Sequence, residues 1–115
     1  MKVYGIKNCD TVKKALQWLD KKKVVYEFHD YKSKGISPEK LKTLSQQVGW
    51  ETLVNRKGMT WRQLDDQQKE SVTNEKAAIA LMLEKTSVIK RPLIERRDKV
   101  LTVGFDPEEF ETKIK

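Results

Sequence analysis

A chain of 115 residues with a net charge of +7, one cysteine and one histidine is long enough to bury about two-thirds of its unfolded surface as one compact domain, 1–115, without covalent staples. A single cysteine excludes an internal disulfide, and with one histidine beside it a four-ligand zinc site cannot be completed, so no metal is expected and a reducing, cytoplasmic setting is. Of the 24 basic residues 19 are lysines, scattered and interleaved with acids, which reads as a solvated basic surface that attracts small anions rather than a specific nucleic-acid interface.

Met1-Lys2 leads straight into a strand at about 2–6 (Val3, Tyr4, Ile6), followed by a helix at about 10–22 with Val12, Ala15, Leu16 and Leu19 at helical spacing. A strand at about 25–31 follows closely enough to make a βαβ unit with its two strands parallel. Lys34-Gly35 breaks the chain. Ser37 as N-cap and Pro38 at the first helical position open a helix that carries Leu41, Leu44 and Val48 on one face and stops at Gly49. From Trp50 to Ser71 isolated anchors (Trp50, Leu53, Trp61, Leu64) predict short helical turns.

Thr73 or Asn74 opens a helix to about Lys85 that is apolar nearly all round, which predicts burial on most sides. Its apolar run, Ala77 to Leu83, is the longest in the chain at seven residues, too short for a membrane span or a signal segment, so neither membrane association nor targeting is expected. After Arg91-Pro92, strands at 93–95 and 100–103 flank a turn at Arg97-Asp98. Asp106-Pro107-Glu108-Glu109 has the cap, proline and reciprocal glutamate of a capping box, and starts a last helix with Phe110 and Ile114 on one face. The order βαβ, helical block, ββα matches an α/β, thioredoxin-like (glutaredoxin-like) mixed sheet with an all-helical insertion at about 37–88.

Cys9 stands where the first strand gives way to the first helix, among Asn8, Asp10 and Thr11. A thiol at a helix N-terminus faces backbone N–H groups and the positive end of the helix dipole, and both favour thiolate. Lys7, Lys13 and Lys14 add to this and Asp10 opposes it, so the sequence leaves the sign of the net shift open. Cys9 is the candidate nucleophile. The lone His29, in an alternating strand, is read as structural, and Trp18, Trp50 and Trp61 as packing.

Three separated motifs then coincide in order and spacing. Tyr4-Gly5-Ile6-Lys7-Asn8-Cys9-Asp10-Thr11-Val12-Lys13-Lys14-Ala15, Leu53-Val54-Asn55-Arg56-Lys57-Gly58 and Ile89-Lys90-Arg91-Pro92-Leu93 together resemble the arsenate reductase (ArsC) family, most closely its YffB-like branch, over essentially the whole chain. The resemblance implies a Cys9 thiolate in an anion-binding loop with Asn8, Asp10 and Thr11. It further implies anion-positioning guanidinium groups at Arg56 and Arg91, and a cis Pro92 that exposes the Arg91 backbone to an extended substrate such as glutathione.

Two positions depart from the family's arsenate reductases, which carry a histidine where Gly5 stands and a third arginine where 100–105 has none. Cys9-Asp10-Thr11-Val12 also lacks a second cysteine, so the resolving thiol comes from outside: glutathione as co-substrate, or a glutaredoxin partner. No tightly bound cofactor is expected. The expected substrate is a small anion or a disulfide, the expected state a monomer. The alternatives are an arsenate reductase proper and a regulator resembling Spx, a branch of the same family that contacts RNA polymerase.

Overall fold

The computed structural model describes residues 1–114, in two compact units, a sheet unit of 1–34 with 91 onward and a helical unit of 35–90. In the sheet unit, β1 (Lys2–Gly5) leads through a short loop into α1 (Asp10–Lys21), and β2 (Glu27–Asp30) returns parallel to β1. The chain re-enters the sheet with β3 (Leu93–Arg96), antiparallel to β1, and turns back as β4 (Lys99–Val103). The order β2-β1-β3-β4 is the mixed thioredoxin-like sheet expected from the sequence. Arg97 and Asp98 both have positive φ (52° and 66°), the geometry of a two-residue hairpin turn whose twist suits the flanking strands.

Val3, Ala15, Leu19, Ile94, Phe110 and Ile114 form the core of this unit. The pattern has a simple origin: Ala15 and Leu19 are four apart on α1, and Phe110 and Ile114 are four apart at the end of the chain, so each pair lies on one helical face. Trp18 and Phe105 meet the Phe110 ring edge-on, at centroid distances of 5.3 and 4.8 Å.

A second cluster combines aromatic packing with a buried hydrogen bond. The Tyr4 hydroxyl donates to Glu95 Oε1 at 2.7 Å, and its ring stacks on Tyr31 and tilts against His29. His29 is thus a packing residue, as read from its strand. Burial, with the Glu95 carboxylate beside it, pushes the Tyr4 hydroxyl well above the usual phenol range, so it remains a donor. Tyr4→Phe is expected to lower stability by about 2 kcal/mol, since it strips a buried carboxylate of a donor; the shift in a urea unfolding midpoint measures it.

Strand β2 is shorter than the pattern suggested. Val25 is 88% exposed, and Tyr31 opens a one-turn helix, α2 (Tyr31–Lys34), because Asp30 Oδ1 accepts from the N–H groups of Lys32 and Ser33. An aspartate followed by three helix-compatible residues carried that signal.

In the helical unit, α3 (Pro38–Val48) begins at the Ser37 cap, whose hydroxyl accepts from the Lys40 N–H, and ends at Gly49 with φ 87°, as expected. Short helices α4 (Trp50–Leu53), α5 (Met59–Arg62) and α6 (Asp66–Ser71) fill the polar middle. Then come α7 (Glu75–Glu84), capped by Asn74, and a 3-10 turn at Thr86–Val88. Ser45 donates to Glu75 Oε2 at 2.8 Å, linking α3 to α7. The expectation that α7 is buried on most sides is corrected: Ala78, Leu81 and Met82 are buried, but Ala80 is exposed and Leu83 is 38% exposed. Alanines lower the cost of an open face, so an apolar composition did not require a central position.

The last helix, α8 (Pro107–Lys113), starts at Asp106 with Pro107 in its first turn. Asp106 Oδ1 accepts from the Glu108 N–H, while Glu109 reaches forward to Lys113 (3.9 Å) rather than back to the cap. The reciprocal capping box forms instead at Asp65 and Gln68. No helix of the described residues is long and apolar enough to cross a membrane, and no group of three or more histidine, cysteine, aspartate or glutamate residues among them is placed to hold a metal.

Candidate functional site

Cys9 is the N-cap of α1. Its backbone is extended, its carbonyl accepts from the Lys13 N–H at 2.9 Å, and its side chain is half-buried. The loop that delivers it is short and pinned: the Lys7 N–H donates to Asp30 Oδ2 at 3.3 Å, tying the turn after β1 to the end of β2. Asn8, Asp10 and Thr11 surround the cysteine in sequence and are exposed. The thiol makes no short capping hydrogen bond, so the first-turn N–H groups act on it as oriented dipoles.

Three groups decide its ionisation. Burial on its own pushes the thiol up, since a thiolate is harder to desolvate. The Val12 N–H, the Arg91 guanidinium and the Thr11 N–H together outweigh it and hold the thiol below its ordinary value. The sign left open by the sequence is therefore set by Arg91, which comes from the far end of the chain, and by the helix N-terminus.

Arg91 is half-buried and joined to the buried Pro92 by a cis peptide bond, and the Pro92 carbonyl accepts from the Gly104 N–H at 2.8 Å. The sheet unit thus brings Cys9, Thr11, Arg91 and Pro92 into one assembly. Arg56 belongs to the helical unit, where its guanidinium lies over the rings of Trp50 (5.8 Å) and Trp61 (5.6 Å). Its loop is tight: Asn55 Oδ1 accepts from Lys57 N–H, and a Cβ on Gly58 would come 2.8 Å from Asn55 Nδ2. Trp50 and Trp61 therefore do more than fill space; they orient the arginine. Nothing in local periodicity marks them, because they flank Arg56 at non-helical offsets.

Gly5 has a steric explanation. A Cβ there would meet Val12 Cγ2 at 2.8 Å, Val12 Cγ1 at 3.3 Å and Phe28 Cε1 at 3.4 Å. Val12 is β-branched and held in one rotamer by its helix, so it cannot swing away. A side chain at this position would therefore have to displace Val12. Gly5→Ala is expected to cost about 1 kcal/mol through overpacking against Val12, read as a lowered thermal midpoint, and Val12→Ala in the same chain should relieve the clash.

The sheet order, the thiol at the first helix cap and the arginine–cis-proline step opening β3 define a protein of thioredoxin-like fold. Residues 4–113 match the model of the ArsC family, and the chain belongs to that family. It is similar to the solved structure of a YffB protein, with 46% identity and a TM-score of 0.91 over 99% of this chain and 98% of the other. An arsenate reductase (ArsC) related protein from Brucella melitensis is 44% identical with a TM-score of 0.79, over 99% of this chain and 93% of that one. The global transcriptional regulator Spx of Streptococcus mutans is 29% identical over 90% of this chain and 74% of its own length. The family's name and these relatives support a thiol-dependent, reductase-like role, within a family that also includes a regulator.

Proposed function

We propose that this chain is a glutathione- or glutaredoxin-linked thiol oxidoreductase with Cys9 as its nucleophile. The observation that carries the reading is the Arg91 guanidinium acting on a thiol at a helix cap, which favours the reactive thiolate. The Cys9 thiolate attacks one sulfur of a glutathione mixed disulfide; a Cys9–S–S–glutathione bond forms, the old disulfide bond breaks, and the other half leaves as a thiolate. A second glutathione thiolate, or a glutaredoxin thiolate, then attacks the adduct, restoring the Cys9 thiolate and carrying the oxidised sulfur away as a disulfide. No electrons are stored on the protein and no cofactor is needed. Arg91 is assigned to a carboxylate group of the substrate, whose geometry suits guanidinium. The setting is the reducing cytoplasm.

Arsenate as the physiological substrate is disfavoured by Gly5 and by the absence of arginine at 100–105. The deciding experiment follows NADPH consumption above the rate without the chain, through glutathione reductase and glutathione alone when the mixed disulfide of glutathione and 2-mercaptoethanol is the substrate, since a glutaredoxin would reduce that disulfide itself, and with a glutaredoxin added when arsenate is the substrate. Turnover with the disulfide and none with arsenate is expected; the reverse result makes the chain an arsenate reductase. Similarity to Spx supports one further reading, a polymerase-binding role. Stoichiometric recovery of RNA polymerase with a protein that turns over neither substrate would establish it in place of the enzyme.

A further inference from the structure

The sheet unit carries a second concave feature that the thiol chemistry does not use. A groove of about 400 Å³ has a floor of Leu16, Tyr26 and Phe28 and a rim that includes Lys7, Ser33 and Lys34. Its volume is that of a small-molecule site. Leu16 comes from α1, and Tyr26 and Phe28 are two apart along the chain leading into β2, so they share a side of the extended backbone. All three pack against the core cluster, which fixes the floor in place. The Tyr26 hydroxyl is engaged, donating to Asp20 Oδ1 at 3.1 Å.

The rim decides the charge of the occupant. Lys7 and Lys34 are exposed, and neither makes an ion pair among the described residues. The one acid lining the groove, Asp30, has both carboxylate oxygens engaged by backbone donors: Oδ1 accepts from Lys32 and Ser33, and Oδ2 from Lys7. An apolar floor bounded by two ammonium groups, with the local carboxylate already hydrogen-bonded, complements an amphipathic anion. We propose that the groove binds a small carboxylate with an aromatic or aliphatic body, the body on Leu16, Tyr26 and Phe28 and the carboxylate at Lys7 and Lys34.

The groove lies beside the thiol's helix. Leu16 is two turns beyond Cys9 on the same face of α1, about 10 Å along the axis, and Lys7 is two residues before Cys9. Cys9 itself does not line it, so occupancy does not require the sulfur.

Two-dimensional NMR of the ¹⁵N-labelled full chain tests the assignment, with 4-phenylbutyrate, indole-3-acetate and octanoate as probes and the neutral amide of each as a control. Saturable shifts centred on the amides of Leu16, Phe28 and Ser33 are expected, tighter for the acids than for the amides. Lys34→Glu, at an exposed position whose fold the same spectrum verifies, should weaken the acids about fivefold, the scale of an exposed charge interaction. Cys9→Ser should leave the affinity unchanged. Absence of saturable shifts with all three acids, equal affinity for acid and amide, or indifference to Lys34→Glu each overturns the proposal. Loss of binding in Cys9→Ser overturns it as well, since it puts the anion at the thiol.

Discussion

Cys9→Ser is expected to abolish turnover in the glutathione-coupled assay while leaving the chain folded. Serine keeps the size of the side chain and its place at the cap, and Cys9 is only half-buried, so the urea midpoint should move by no more than about 0.5 kcal/mol. What disappears is the nucleophile. A hydroxyl does not ionise under the influence of one arginine and two N–H groups, and no second cysteine exists to substitute for it. The measurement is twofold, turnover and the mass of the protein after iodoacetamide: native chain takes one alkyl group and loses activity, and the variant takes none and has none to lose. Persistent turnover in the serine variant would falsify thiol catalysis by this chain altogether.

The second large effect is expected at Arg91. Arg91→Ala removes a guanidinium that favours the Cys9 thiolate, leaving the N–H groups of Val12 and Thr11 to act against burial. The pH profile of alkylation should therefore shift upward, toward or past the ordinary thiol value, and the rate at pH 7 should fall. The sign of the linked stability follows from the direction of the native shift. A thiol held low in the folded state contributes stability above the unfolded thiol's pKa, and that contribution fades as pH falls through the folded value. Unfolding curves of the native chain should show this alkaline gain, and Arg91→Ala should flatten it. An anionic substrate should also bind about 2 kcal/mol more weakly, the scale of a lost charged hydrogen bond, so KM rises about thirtyfold by the same arithmetic. Arg91→Lys separates the two contributions: it keeps the charge near the sulfur and loses the forked geometry, so the thiol profile should recover while KM does not.

Much of this is legible in the sequence, for local reasons. The Ser37-Pro38 start and the Gly49 stop are signals carried by one to four residues, and each formed as read, while of Thr73 and Asn74 it is Asn74 that caps α7. The fold class came from the succession of elements, βαβ, helical block and ββα, which leaves few ways to build a sheet. Other features escaped because their causes are not local. The extent of β2 was set by the Asp30 side chain turning the chain into α2, and the open face of α7 by what packs on it rather than by its composition. At the site, Cys9 could be located from the strand-to-helix boundary, but the direction of its ionisation could not. It depends on Arg91, which no spacing rule connects to residue 9. The steric role of Gly5 against Val12 and the two indoles around Arg56 were hidden for the same reason. Each is a contact between side chains whose sequence separation has no periodic signature.

The division of the chain into one interrupted and one continuous unit has a consequence for the order of events at the ribosome. The helical unit is an unbroken stretch, residues 35–90, and its contacts can form as soon as it has left the exit tunnel. The sheet unit cannot close then, because β3 pairs with β1 and is made only after that stretch is complete. Until it arrives, β1 and α1 lack part of their core, and Cys9 lacks the arginine that makes it reactive. A nascent chain therefore carries a thiol without that guanidinium, and the charge that favours its thiolate arrives only with the last quarter of the chain.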